Sequence, residues 1–335
     1  MFNTRHLAAA LAVSAGLGLM PVAAQQHTLR MSTAAPVNTI WQQQFDQFAA
    51  DVAEETNGNV QIEIFYNSQL GPENTVLPQV MRGRIDMGAF STAGLADQLR
   101  DAYLVAMLFY YNDMDVRSCI LDSVHDDFQT LLQPTGLRLV DWTEVGSFQL
   151  SGGQAFTSPE SINGLRLGGA ANPITNRFWE RMGAYPSLVA VTEAASSIST
   201  GLIDVYPTIP VFYMFAGIAQ VAPVLSKIDI GLPPGVILIN QSVWDGLSAE
   251  DQAGIERALQ RHPAAERSAA FYAFESQLYA LHESRGGTVA IPTPEEAAAW
   301  REGIEEYYAE VLAESSPEGL VFWDALEAAR VACGG

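Results

Sequence analysis

Asp141 and Glu144 are the two carboxylates whose spacing, three residues apart near a strand end, invites acid–base chemistry. A glycoside-hydrolysing pair would use one as proton donor and the other as base or nucleophile. Acids placed this way also serve as a turn residue and a hydrogen-bond acceptor. No other catalytic pattern is present: there is no His-Glu-x-x-His, Gly-x-Ser-x-Gly, Walker loop or Cys-x-x-Cys. His6, His27, His125, His262 and His282 lack metal-ligand spacing with one another. The expectation is therefore a protein that is not an enzyme and uses no cofactor or metal. Polar and aromatic residues at expected strand ends point to binding: Thr33, the run Phe90-Ser91-Thr92, and the pair Tyr206 and Thr208.

The elements that would position these groups follow from periodicity. Residues 158–208 read as strand, helix, strand, helix, strand. An apolar run at 165–167 is followed by a helix that Asn172-Pro173 opens and Gly183 stops. A strand at 185–191 precedes a small-residue helix from Thr192-Glu193 to Gly201, and Pro207 is expected to close the last strand after Tyr206. Such alternation builds a parallel sheet, whose ligands lie beyond the carboxyl ends of the strands. The first half is similar. Alternation at 27–32 and 60–64 predicts strands, and Trp41, Phe45, Phe48, Ala49 and Val52 share a helix face between them. Gly83-Arg84-Ile85-Asp86 echoes Gly201-Leu202-Ile203-Asp204, which fits two related α/β halves across a cleft. Asp86 and Asp204 are then turn residues bonding nearby amides, or ligand contacts. A capping box at Ser248 opens acidic helical sequence that continues almost to the C-terminus.

With 335 residues, 48% of them hydrophobic, the chain can bury the cores of two domains. Its 38 acidic against 17 basic residues give a charge of −21, which argues against nucleic acid and anionic membrane surfaces as partners. Arg5 and His6, an apolar run at 7–20 and small residues through Ala24 predict a secretory signal peptide over residues 1–24. No other window has transmembrane length, so a periplasmic protein without membrane insertion is expected. In that oxidising compartment Cys119 and Cys333 either form a disulfide tying the tail to the first domain or remain separate thiols.

Three ordered stretches carry a family resemblance. They are 65–71 (FYNSQLG) with Arg82-Gly83-Arg84-Ile85-Asp86-Met87; Gly164-Leu165-Arg166-Leu167 with Met182-Gly183-Ala184, Glu193 and Gly201-Leu202-Ile203-Asp204; and 244–252 (WDGLSAEDQ). Together they resemble the DctP-type solute-binding proteins of tripartite ATP-independent periplasmic (TRAP) transporters. The resemblance implies a two-domain α/β fold of the periplasmic-binding-protein type, with the ligand cleft between domains and long C-terminal helices across both. Residues 25–142 plus 232–262 would form domain I, 143–231 domain II, and 263–335 the C-terminal helices. It further implies a monomer that closes about a hinge on a small organic solute, by family habit a carboxylate, and passes it to permease subunits.

In the family an arginine after the Gly-Leu-Lys-Ile segment grips the ligand carboxylate with its planar fork. Gly168 stands at that place here. The basic residue often found after the hinge strand is also absent, since Ser147 and Phe148 follow Gly146. Arg166 either takes over or makes a surface ion pair, and Arg177 is a weaker candidate. Trp142, Glu144 and Phe148 are expected at the hinge, Asn172 at a helix start facing the cleft, and Glu193 at the glutamate position common in the family. If Glu144 or Glu193 faces the cleft without an arginine, a polar, aromatic or amine-bearing solute replaces the carboxylate.

Overall fold

The computed structural model describes residues 26–111, 113–169 and 172–335; the signal-peptide reading of residues 1–24 lies outside the described residues. Two sheets organise the chain. The first has strands β1 (His27–Thr33), β2 (Val60–Phe65), β3 (Met87–Ser91) and β4 (Leu137–Glu144). The second has β5 (Gln149–Gly152), β6 (Arg166–Gly169), β7 (Tyr185–Leu188), β8 (Val205–Thr208) and β9 (Val224–Ser226). The chain then returns to the first sheet as β10 (Pro234–Asn240), and β11 (Thr288–Ala290) completes the second. The orders are β2-β1-β3-β10-β4 and β11-β9-β5-β8-β6-β7.

The parallel pairs β1–β2, β1–β3, β6–β7 and β6–β8 are those that strand–helix alternation dictates. Strand β10 is antiparallel to both β3 and β4, and all seven of its residues are buried. A central strand covered on both faces reads as an unbroken apolar run, here Val236-Ile237-Leu238-Ile239. The helix Ile40–Glu55 buries Trp41, Phe45, Phe48 and Val52, as its spacing predicts. Pro207 does not close a strand. It lies within β8, paired antiparallel with Leu150, while pairing to β6 is at Val205. The missing N–H thus falls beyond the β6 ladder, where it costs no bond there.

The chain passes between the sheets through residues 145–148 and again through 227–233. The two crossings bond to each other: Phe148 N–H donates to Gly231 O (3.3 Å) and Ile230 N–H to Phe148 O (3.2 Å). The helix Ala264–Ser284 spans both sheets, roughly 31 Å at 1.5 Å per residue. Its Ser268 donates to Glu144 at the end of β4, and its His282 ring meets the hydroxyl of Tyr213, after β8 (3.1 Å).

Between these points Glu275 of the same helix, 3% exposed, accepts the Ser147 N–H of the first crossing (3.2 Å). Gly146 has φ +112°, and a Cβ there would sit 2.3 Å from Glu275 Oε1, so only glycine admits this approach. Burial pushes the Glu275 carboxyl from 4.5 up to about 8, opposed by the Ser147 N–H and Lys227 and reinforced by Asp229 and Glu144. A carboxyl raised on folding favours the protonated native state. The stability it contributes is full below pH 4.5 and is lost as pH rises towards 8. Glu275→Gln is therefore expected to flatten the stability profile over that window and to stabilise the chain at pH 8 by roughly 4 kcal/mol. Urea melts of both proteins at pH 5 and pH 8 measure this. Equal pH dependence in the two would refute it.

Candidate functional site

Beyond the carboxyl ends of β1, β3 and β4 lies a cavity of about 40 Å³. Thr33, Phe90-Ser91 and Thr143-Glu144 enter it from strand ends, and Val145 from the first crossing. Trp41 and Phe45 reach it from the helix Ile40–Glu55, and Phe212 from the helix Pro210–Phe215 that follows β8, so both halves contribute. The Trp41 indole N–H donates to Glu144 O (2.8 Å), and its ring lies 5.5 Å from that of Phe212.

Glu73 supplies the cavity's unpaired carboxylate. It is the first residue of the helix Glu73–Met81, where negative charge suits the helix dipole. Its oxygens accept the N–H and hydroxyl of Ser91, each at 2.6 Å, and Ser91 Oγ in turn caps Gly94 N–H (3.0 Å). A side chain at Gly94 would sit 2.2 Å from Glu73 Oε2, so glycine leaves the carboxylate its place. Burial raises the Glu73 carboxyl, with both Ser91 hydrogen bonds opposing. Among the described residues the lining includes no arginine or lysine.

Several expected site residues go elsewhere. Arg166 is exposed and ion-paired, its guanidinium bonding both oxygens of Asp204 at 2.6 and 2.9 Å while its N–H meets the same carboxylate (3.0 Å). Arg30 and Asp86 repeat this in the first half, with Arg30 N–H on Asp86 Oδ2 at 2.7 Å. The internal echo is thus a strand-bracing device, and neither aspartate is a ligand contact in this arrangement. Gly168 has no room for a side chain, because a Cβ would lie 2.6 Å from Ile203 Cδ1 and 3.0 Å from the Tyr206 ring. Tyr206 itself is core, its hydroxyl on Val189 O (3.3 Å). Arg177 binds Glu314 on the C-terminal helices (2.6 Å).

Trp142 also turns inward: its indole donates to Leu121 O (3.2 Å) and its ring lies 4.8 Å from Phe128. Glu193 is exposed in the first turn of its helix. Thr92 is buried and donates to Pro234 O (2.9 Å). Thr208 is buried at the end of β8, and Phe148 packs half-buried between the two main cores. Asn172 caps its helix, Oδ1 accepting from Ile174 and Thr175, while its Nδ2 is buried with no hydrogen-bond partner among the described residues.

The acid pair is separated by its partners. Asp141 is bound by Arg267 and Glu144 by Arg117, so each carboxylate has its own cationic partner. The structure joins Cys119 to Cys333 in a disulfide, Cα atoms 5.9 Å apart. The sequence places Trp41 and Phe45 on a shared helix face without pointing to the cavity, and Glu73 was passed over. The signal for Glu73 was its place just after β2, at the carboxyl end of a parallel strand.

A family profile described as bacterial extracellular solute-binding protein, family 7 (DctP), matches residues 31–315. The C4-dicarboxylate-binding periplasmic protein DctP of Rhodobacter capsulatus is 22% identical over 313 residues, 92% of this chain and 94% of its own. The ectoine-binding periplasmic protein TeaA of Halomonas elongata is 24% identical over 246 residues, 69% of this chain and 71% of its own. A crystal structure of a TRAP periplasmic solute-binding protein from Xanthobacter autotrophicus, with bound β-D-galacturonate, matches with TM-score 0.83 at 19% identity, covering 90% of this chain and 99% of that one.

Proposed function

Because the chain belongs to the DctP family of bacterial extracellular solute-binding proteins, we propose that it captures a small organic solute between its two α/β lobes, closes on it about the paired crossings, and delivers it to a TRAP membrane permease. The family consists of binding proteins, not enzymes. The observation that carries the reading is the cavity where the lobes meet, walled by strand ends of one and Phe212 of the other. Ligand that contacts both walls stabilises the closed arrangement. Export to the periplasm, cleavage near Ala24 and a monomeric working state complete the proposal. Among the described residues no helix is long and apolar enough to cross a membrane.

Relatives bind carboxylates such as galacturonate. A carboxylate in this cavity would meet the Glu73 carboxylate and, among the described residues, no basic side chain in the lining, which favours the second reading, a non-carboxylate solute.

A thermal-shift screen of the mature protein against organic acids, amines, polyols and aromatic solutes tests capture. A solute at about a hundred times its dissociation constant raises stability by roughly 2.7 kcal/mol. Small-angle scattering should then register a smaller radius of gyration, and Arg166→Ala should bind as the parent does. If no class of solute moves the melt or compacts the molecule, solute capture is wrong.

A further inference from the structure

We propose that the cavity accepts an organic cation, its ammonium or quaternary ammonium group seated against the Glu73 carboxylate and the rings of Trp41, Phe45, Phe90 and Phe212. The inference rests on the solute-capture reading and names the class of solute. Three observations carry it.

First, the charge in the cavity is of one sign. Glu73 and Glu144 line it, and Glu144 is already matched by Arg117, so Glu73 is the carboxylate left without a cation among the described residues. The arginines the resemblance pointed to are engaged: Arg166 by Asp204 and Arg177 by Glu314. An anionic solute would add a second negative charge beside Glu73 with nothing to offset it.

Second, the Glu73 carboxylate is fixed in place. Both oxygens are held by Ser91, and glycine at position 94 clears the space they occupy. Each oxygen accepts one hydrogen bond and retains a further lone pair for an N–H donor or for direct attraction to a quaternary nitrogen. A carboxylate placed only as a helix-end charge needs neither device.

Third, four aromatic side chains share the cavity with that carboxylate. Ring faces attract cations through their quadrupoles, and the attraction strengthens where water is excluded. Trp41, Phe45 and Phe90 are each about 95% buried, so such contacts are desolvated. A neutral polyol would find few hydrogen-bonding partners on such walls, and an apolar solute would leave Glu73 uncompensated.

The experiment is isothermal titration of the mature protein with four probes: choline, its uncharged carbon isostere dimethylbutanol, propylamine and galacturonate. Choline or propylamine is expected to bind, with the isostere weaker by at least tenfold and galacturonate not competing. Glu73→Gln should weaken the cation at least tenfold while circular dichroism stays that of the parent. Should that variant not fold, Phe212→Leu, at a half-exposed position, should lower cation affinity several-fold and leave the melt of the free protein little changed. If galacturonate or the isostere binds as tightly as choline, the cation assignment is overturned and solute capture stands. If none of the four probes binds while a wider screen still compacts the molecule, the cation assignment again falls alone.

Discussion

Replacing Arg117 with methionine is expected to destabilise the folded chain by about 3–5 kcal/mol. Arg117 is 1% exposed, deeper than any other charged side chain among the described residues. One terminal nitrogen binds the Glu144 carboxylate, and the other donates to Leu232 O and to the Tyr272 hydroxyl, each at 3.1 Å. Glu144 also takes the Ser268 hydroxyl and, at 3.1 Å, that of Tyr272. Tyr272 completes the circuit because one hydroxyl both accepts from the guanidinium and donates to the carboxylate.

This network binds the helix Met114–Ser123, the end of β4, the second crossing and the helix Ala264–Ser284 at one point. Methionine fills much of the arginine's volume, so the loss reports the carboxylate left without its cation and not an empty space. Glu144→Gln leaves Arg117 uncompensated in the same way. The double variant should cost well under the sum of the two, and a double-mutant cycle by urea melts measures the difference. A cost below about 1 kcal/mol for Arg117→Met would show that water reaches the pair.

The halves of this fold were legible because strand–helix alternation and the helix face from Trp41 to Val52 are local signals. The position of β10 between β3 and β4 was not, since it depends on pairing residues 90 or more positions apart. The site divides in the same way. Thr33, Phe90 and Ser91 could be read from strand ends. Trp41 looked like core because its helix face says so; its indole reaches the cavity wall only through a bond to Glu144, 103 residues away. Arg166 reads either as a ligand group or as half of a surface ion pair, because residue type and place in a motif carry no direction. Asp204, 38 residues on, turns it to the outer end of the strand. Arg117 gave no sign at all, since an arginine on a helix with acidic neighbours reads as solvated. Its burial is produced by partners 27, 115 and 155 residues distant.

Removing the disulfide should be comparably costly, about 5 kcal/mol at most in the chain-entropy account. The bond joins Cys119, in the helix Met114–Ser123, to Cys333, just past the helix Pro317–Ala332, across a sequence separation of 214. So large a closed loop restricts the unfolded chain strongly, and most of the gain arises there. The native tail has other ties: Phe322 and Leu326 are buried in the main core, and Ser316 Oγ donates to Asp101 at 2.6 Å. The reduced protein should therefore keep its fold and its solute site while melting earlier. The double variant Cys119→Ser with Cys333→Ser should match reduction of the parent. The measurement is a pair of urea titrations with and without reductant, with hydrogen exchange followed in the last helix. Loss of several kcal/mol with solute affinity retained fits a bond that acts on the unfolded state. If reduction instead abolishes solute binding at temperatures where the lobes remain folded, the bond holds the tail in a place the site requires, and the entropic account is the wrong one.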